Sequence, residues 1–246
     1  MLLFTIVAGY TGKSQPKGNS DHAPSNALWT SVLKKYVNQN GMVNYQALLK
    51  DQSELNQYLS LLSSNPPSDK WSVNEKKAYW INAYNAFTVK LILDYYPVKS
   101  IKDIGQYIQI PFFNTPWEKE FFKIGGQDMK LDKIEHGILR KKFNDPRIHF
   151  SLVCASISCP KLRNEAYEAS ELDHQLDDQA RSFLANRSKN IITPDKLQLS
   201  KIFSWYKGDF TKNGSLIDFL NKYSPVRINK NADIDYLDYN WNLNKQ

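Results

Sequence analysis

Both cysteines of the chain and one of its four histidines fall in the stretch DPRIHFSLVCASISCP, residues 145–160. A thiolate is a nucleophile, and an imidazole within reach is the base that generates it, so these residue types suit thiol-dependent hydrolysis or acyl transfer. Cys159 precedes Pro160, a residue suited to the first position of a helical turn, where backbone N–H groups would favour a thiolate. Cys154 reads either as the nucleophile or as a small buried hydrophobe. The CxxxxC spacing is neither CxxC nor a zinc-knuckle pattern. An oxidising compartment would allow a Cys154–Cys159 bridge, and the cytosol would leave two thiols.

Upstream, Glu135, His136 and Arg140 belong to LDKIEHGILRKKF. Positions 136 and 140 share a helix face and can look together toward His149, as the acid or orienting partners of a base. Adjacent helical residues diverge by about 100°, which makes a metal site using both Glu135 and His136 awkward; neither metal nor cofactor is expected. Asn82 and Asn85, spaced i,i+3 in an apolar helix, either line a cleft as substrate-binding groups or pin loop backbone. Arg147 joins them as a substrate-binding candidate. His174 sits among acidic residues as a surface group, and His22 falls in a polar leader.

The elements that must position these residues follow from periodicity. SNALWTSVLKKYVN, with Ser25 as cap, and QSELNQYLSLLSS read as amphipathic helices. NEKKAYWINAYNAFTVKLILDYYP, residues 74–97, is apolar on most faces and therefore central. EFFKIGGQDMKL reads as a hairpin through Gly125-Gly126, and LDKIEHGILRKKF as a helix capped by Asp132. RIHFSLVCAS reads as a buried strand, in which alternation would turn His149 away from Cys154 unless the strand breaks. ASELDHQLDDQARSFLAN is a further helix, followed by short pieces and the aromatic DIDYLDYNWNLN. The expected fold is α+β: a single domain over residues 25–246, with a central buried helix and several helices packed on a small mixed or antiparallel sheet.

With 246 residues and 41% apolar content, the chain has material for a real core. Its net charge of +7 is dispersed, since acidic residues interrupt most basic runs; this argues against nucleic acid as a partner. Leu2–Ala8 followed by small and polar residues predicts a minimal export signal within a leader of residues 1–24, hence a periplasmic or extracellular protein, with a cytoplasmic one as the alternative. Tyr10 stands where a lipidated cysteine would have to be. No segment approaches the ~18 apolar residues of a membrane span, so no integral membrane segment is expected in the mature chain.

Together YWINAYNAF, KIEHGILR, DPRIHFSLVCASISCP and YLDYNWNLN, in this order, resemble the domain of unknown function 547 family, over about residue 70 to the end. The resemblance marks Asn82, Asn85, Glu135, His136, Arg140, Asp145, Arg147, His149, Cys154 and Cys159, and it implies no defined activity. Bacterial members are typically single-domain and often exported, while animal and plant members join the domain to others, glutaredoxin-like modules among them. Asn240 stands where the family pattern leads one to expect an aspartate. Three readings follow for the ligand, a small molecule, peptide or glycan. One is a cysteine/histidine-dependent hydrolase or acyltransferase acting on amide or peptide-like substrates in the cell envelope, another a non-enzymatic binding module with an aromatic surface, and the third a dithiol redox protein.

Overall fold

Helix α4 (Val73–Asp94) organises the molecule. Its start is a capping box: the Ser72 hydroxyl accepts from the Glu75 N–H at 3.1 Å, and the Glu75 carboxylate accepts from the Ser72 N–H at 2.7 Å. Those backbone bonds, above all, hold the Glu75 carboxyl down to about 2. From Lys77 to Leu93 nearly every residue is buried, as expected for a helix apolar on most faces. In this computed structural model the described residues are 21–105 and 115–246; most of the expected leader, residues 1–20, lies outside them.

Helices α1 (Ala27–Tyr36), α2 (Tyr45–Lys50) and α3 (Ser53–Ser64) pack around α4. Trp29 stacks on Tyr58 with ring centres 5.9 Å apart. Ser25 accepts from the Ala27 N–H at 3.2 Å, one residue outside the position expected of a cap. His22 lies against Glu75 at 3.2 Å, so the end of the leader is tied to the mouth of α4.

The hairpin is present as β1 (Phe122–Ile124) and β2 (Gln127–Met129), antiparallel with Phe122 opposite Met129. Gly125 and Gly126 both have positive φ, 58° and 79°, the backbone that a two-residue hairpin turn requires. LDKIEHGILRKKF is helical, but Lys133–Leu139 is a π-helix running into α5 (Arg140–Lys142), and Asp132 does not cap it.

The strand expected over RIHFSLVCAS is instead a 3-10 turn, Pro146–Phe150, followed by irregular chain. Pro146 and the Asp145 carboxylate, which accepts from the Arg147 N–H at 3.1 Å, start the turn. Beyond it, the backbone is paired by a side chain. Asn85 donates to the Ser151 carbonyl at 2.8 Å and accepts from the Val153 N–H at 2.9 Å. Ala155, at φ 58°, then turns the chain back toward Cys159.

A second apolar cluster gathers Phe150, Phe183, Phe203, Phe210 and Phe219. It is built by α6 (Leu172–Ala185), a mixed sheet of β3 (Ile191–Ile192), β4 (Lys196–Leu199) and β5 (Asp233–Tyr236), and short helices α7 (Ile202–Trp205), α8 (Lys207–Phe210) and α9 (Leu216–Leu220). β3 and β4 are antiparallel, β4 and β5 parallel. The α+β class holds, although the largest buried cluster is helix against helix and the sheets lie beside it. The chain's end returns to the beginning: Val43 N–H donates to Asn244 O, and Ile157 N–H to Asn242 O, both at 2.8 Å. Among the described residues no helix is long and apolar enough to cross a membrane.

Candidate functional site

Where the two clusters meet, a cavity of about 280 Å³ opens, within the range of small-ligand sites or slightly below it. The π-helix brings Glu135 and His136 to its wall, the 3-10 turn brings His149, the irregular chain brings Cys154 and Cys159, and α7 brings Trp205 with Tyr206 just beyond it. Tyr239 and Trp241 come from the terminal segment.

His149 is buried and its Nε2 lies 2.7 Å from the Asp209 carboxylate. A carboxylate only accepts, so Nε2 carries the proton. Burial lowers the imidazole pKa; the ring is then neutral at pH 7, and Nδ1 holds the lone pair. Asp209 is clamped from the other side by Arg140, Nε to Oδ2 at 2.6 Å and Nη2 to Oδ1 at 3.0 Å. The His149 N–H and the Arg140 guanidinium hold the Asp209 carboxyl well below the usual range. Arg140 also donates to His136 Nδ1 at 2.8 Å, confirming that positions 136 and 140 share a side.

Tyr206 covers this network. Its ring stacks on His149 with centres 3.8 Å apart, and its hydroxyl donates to Glu135 Oε1 at 2.6 Å. Burial, reinforced by the Glu135 charge, pushes the phenol pKa well up, so Tyr206 remains a donor. The predicted group of Glu135, His136, Arg140 and His149 is therefore brought together, but through Tyr206 and Asp209, two residues that sequence reasoning missed.

The two cysteines are bridged, with Cα atoms 6.3 Å apart. Neither is a free thiol in this state, so the bridged alternative, of the two the sequence left open, is the one present. Cys159 is 3% exposed and Cys154 is half-buried. Cys159 Sγ accepts from the Cys154 N–H at 3.0 Å and from the Tyr239 hydroxyl at 3.3 Å. Ser156 Oγ lies 3.2 Å from Cys154 Sγ. The Cys159 carbonyl is held from behind by Lys189, whose ammonium burial lowers to about 8.

Three other predicted site residues lie elsewhere. Asn82 is fully buried and spends its amide on the backbone of Tyr167, donating to its carbonyl at 2.8 Å and accepting from its N–H at 3.0 Å. Asn85 does the same for Ser151 and Val153. Both lock loops onto α4, the latter being the loop that carries the cystine. Arg147 is spent on Asp145, Asp173 and Asp177 at 2.7–2.9 Å, which ties the 3-10 turn to α6 away from the cavity. Asp145 in turn holds buried Lys77 at 2.9 Å. Burial works to raise the Asp145 carboxyl, but Arg147 and Lys77 outweigh it and bring it to about 2. His174 is exposed, as expected.

The cavity mouth is aromatic. Trp205 packs on Tyr239 at 4.8 Å and on Trp241 at 5.8 Å, and Trp117 meets Trp241 edge-on at 5.9 Å. Only Tyr239 and Trp241 had a sequence signal, the terminal motif YLDYNWNLN. Asn240 is exposed between them; its side chain accepts from the Asn242 N–H at 2.9 Å, and its backbone pairs with Ser158. Among the described residues no three His, Cys, Asp or Glu side chains converge as a metal site.

No curated protein and no solved structure matches the chain. A family model described as "Protein of unknown function, DUF547" matches residues 68–184, short of the terminal motif to which the resemblance had been extended. Residues 68–184, just under half of the chain, are thus a DUF547-like segment.

Proposed function

We propose that the protein performs thiol–disulfide exchange with a ligand held in the aromatic-mouthed cavity, with Cys154 as the exchanging sulfur and Cys159 as the sulfur that leaves and returns. The observation that carries this reading is the setting of Cys159: its sulfur, buried and bridged, already accepts from the Cys154 N–H and the Tyr239 hydroxyl. Donors of this kind stabilise a departing thiolate, and a better leaving group accelerates exchange. Both cysteines line the cavity, and Cys154 is the less buried of the two.

In the forward step a ligand thiolate attacks Cys154 Sγ. The Cys154–Cys159 bond breaks, its electron pair goes to Cys159, and a mixed disulfide with Cys154 forms. A second thiol of the same ligand then attacks the mixed disulfide and releases Cys154 as a thiolate. The ligand leaves as a disulfide, having delivered two electrons to the protein. Neutral His149, with Nδ1 unprotonated, is the base suited to deprotonate the incoming thiol. The expected export of the chain fits the bridge, since oxidising compartments preserve it.

The test uses the full chain under native conditions, with a soluble aromatic dithiol as the probe of the bridged protein and a linear aromatic disulfide as the probe of the single-cysteine variants, whose free thiol attacks it and releases an aromatic thiol. Mass spectrometry should show the C159S variant accumulating a mixed disulfide on Cys154, and C154S accumulating far less on Cys159. A bridge that opens only when the protein unfolds would refute the reading and leave a structural cystine.

A second reading is favoured by the His149–Asp209–Arg140 chain, which has the form of an oriented base. After reduction, Cys154 would act as nucleophile of a thiol-dependent hydrolase or acyltransferase on amide or peptide-like substrates. It requires turnover of an activated ester by reduced protein, lost in H149Q and C154S alike. Binding of a glycan or partner without any thiol chemistry is the outcome if both assays are blank.

A further inference from the structure

The cavity has a charge that the molecule as a whole does not. The chain carries +7, yet the ionisable groups lining this cavity are the carboxylates Asp132 and Glu135 and two histidines. Neither carboxylate forms an ion pair with a lysine or arginine among the described residues; Asp132 lies 3.6 Å from His136 and interacts with Glu118, and Glu135 is met by the Tyr206 hydroxyl. The nearby cations are committed elsewhere, Arg140 to Asp209 and Lys130 to Glu118. The same cavity is lined by Trp117, Trp205, Tyr239 and Trp241, whose rings pack on one another. Trp205 is left 47% exposed, the second most open of the large hydrophobic side chains among the described residues.

Aromatic faces present negative charge density, and a cation over them is attracted more strongly the less water surrounds it. Carboxylates without a lysine or arginine counter-ion, Glu135 buried and Asp132 partly so, add to the same preference. Burial, above all, raises the Asp132 carboxyl above its ordinary value, with Glu118 adding to the rise against His136 and Lys130. The chain even illustrates the chemistry at the outer edge, where the Lys102 ammonium sits 5.1 Å from the Trp241 ring.

From this juxtaposition we infer that the cavity selects an organic cation, an alkylammonium or guanidinium group, seated between the Trp205–Tyr239–Trp241 face and the carboxylates of Asp132 and Glu135. It deepens the reading of the cavity as a ligand site and does not depend on the bridge being chemically active. A dithiol ligand would present such a group beside its sulfur; an amide or peptide substrate would present a basic side chain.

The experiment is titration of the full chain with choline and with 3,3-dimethyl-1-butanol, its uncharged isostere, followed by tryptophan fluorescence and calorimetry. Acetyl-lysine and acetyl-arginine methylamides serve as further arms that distinguish a quaternary head from a basic side chain. We expect at least one cation to bind saturably and about tenfold or more tightly than the isostere. W241A should abolish the preference, and D132N should weaken cation binding several-fold while leaving the isostere unchanged. D132N also guards against misfolding, because the residue is partly exposed and its loss leaves the core intact. Equal binding of charged and uncharged probes, or none by any cation, would overturn the inference. Repeating the titration with the C154S/C159S double variant shows whether cation binding needs the bridge, and the exchange assay on the unsubstituted chain separates the two ideas: cation preference with a bridge that fails to exchange sinks only the thiol reading, and the reverse sinks only this one.

Discussion

Asn85→Ala is the most informative single change, because the competing roles of this residue predict opposite results. Its amide makes two hydrogen bonds, to the Ser151 carbonyl at 2.8 Å and from the Val153 N–H at 2.9 Å, and the side chain is 2% exposed. Alanine leaves one buried carbonyl and one buried N–H without partners, at about 1–3 kcal/mol each. The sum, about 2–6 kcal/mol, is a large part of the roughly 5–15 kcal/mol that a folded domain commands. Equilibrium urea unfolding followed by tryptophan fluorescence reads it as a lowered midpoint at unchanged slope. Asn85→Asp is a sharper version, since it keeps the acceptor for Val153 and replaces the donor with an oxygen facing the Ser151 carbonyl. A loss below about 1 kcal/mol in Asn85→Ala, or impaired ligand binding at full stability, would refute the structural assignment and return Asn85 to the site.

Four further outcomes follow. Asp145→Ala strips buried Lys77 and Arg147 of their shared carboxylate and should cost about 3–5 kcal/mol, the range for breaking a buried pair, read by thermal unfolding. Gly41→Ala places a methyl 2.6 Å from the Leu162 nitrogen and Lys161 Cβ at a φ of 76°; a loss of about 1–3 kcal/mol in the same assay is expected from backbone strain alone. Burial lowers the His149 pKa, so the unfolded chain takes up its proton first. The stability from neutral His149 is whole above about pH 6.5 and declines as pH falls below that, a slope that His149→Gln should flatten in urea midpoints between pH 7.5 and 5. Tyr239→Phe removes a donor to Cys159 Sγ and should slow reduction of the bridge by a small dithiol several-fold at unchanged unfolding midpoint; an unchanged rate would remove Tyr239 from the leaving-group argument.

Legibility of the fold depended on how local its causes are. Helix α4 and the Gly125-Gly126 hairpin follow from nearest-neighbour chemistry, a capping box and two residues free to take positive φ, and both are found where expected. RIHFSLVCAS has the apolar, β-branched content of a strand, but its backbone partner is Asn85, some 66 residues away in the chain. No window on that stretch contains the reason it is not a strand. The same holds for the site. His136 and Arg140 were legible as helix neighbours, and their bond exists. Asp209, 60 residues from His149 and 69 from Arg140, sits in WYKGDF with no periodicity or motif to mark it. Asn82 and Asn85 were correctly read as buried amides in need of partners; those partners are loop backbone rather than a ligand.

The family match covers residues 68–184 and so contains Glu135, His149 and the cystine. It ends before the groups that make them a site: Tyr206 over the imidazole, Asp209 on its Nε2, Tyr239 on the Cys159 sulfur and Trp241 at the mouth. Without Asp209, His149 would keep a buried N–H with its carboxylate gone, a loss of about 1–3 kcal/mol, and Arg140 would lose its anchor. Those losses would fall on the π-helix and the 3-10 turn together, because both are held through the one carboxylate. The candidate site in this chain therefore draws on residues from Lys133 to Trp241, and residues beyond the matched span belong in any comparison of it with other proteins that match the DUF547 model.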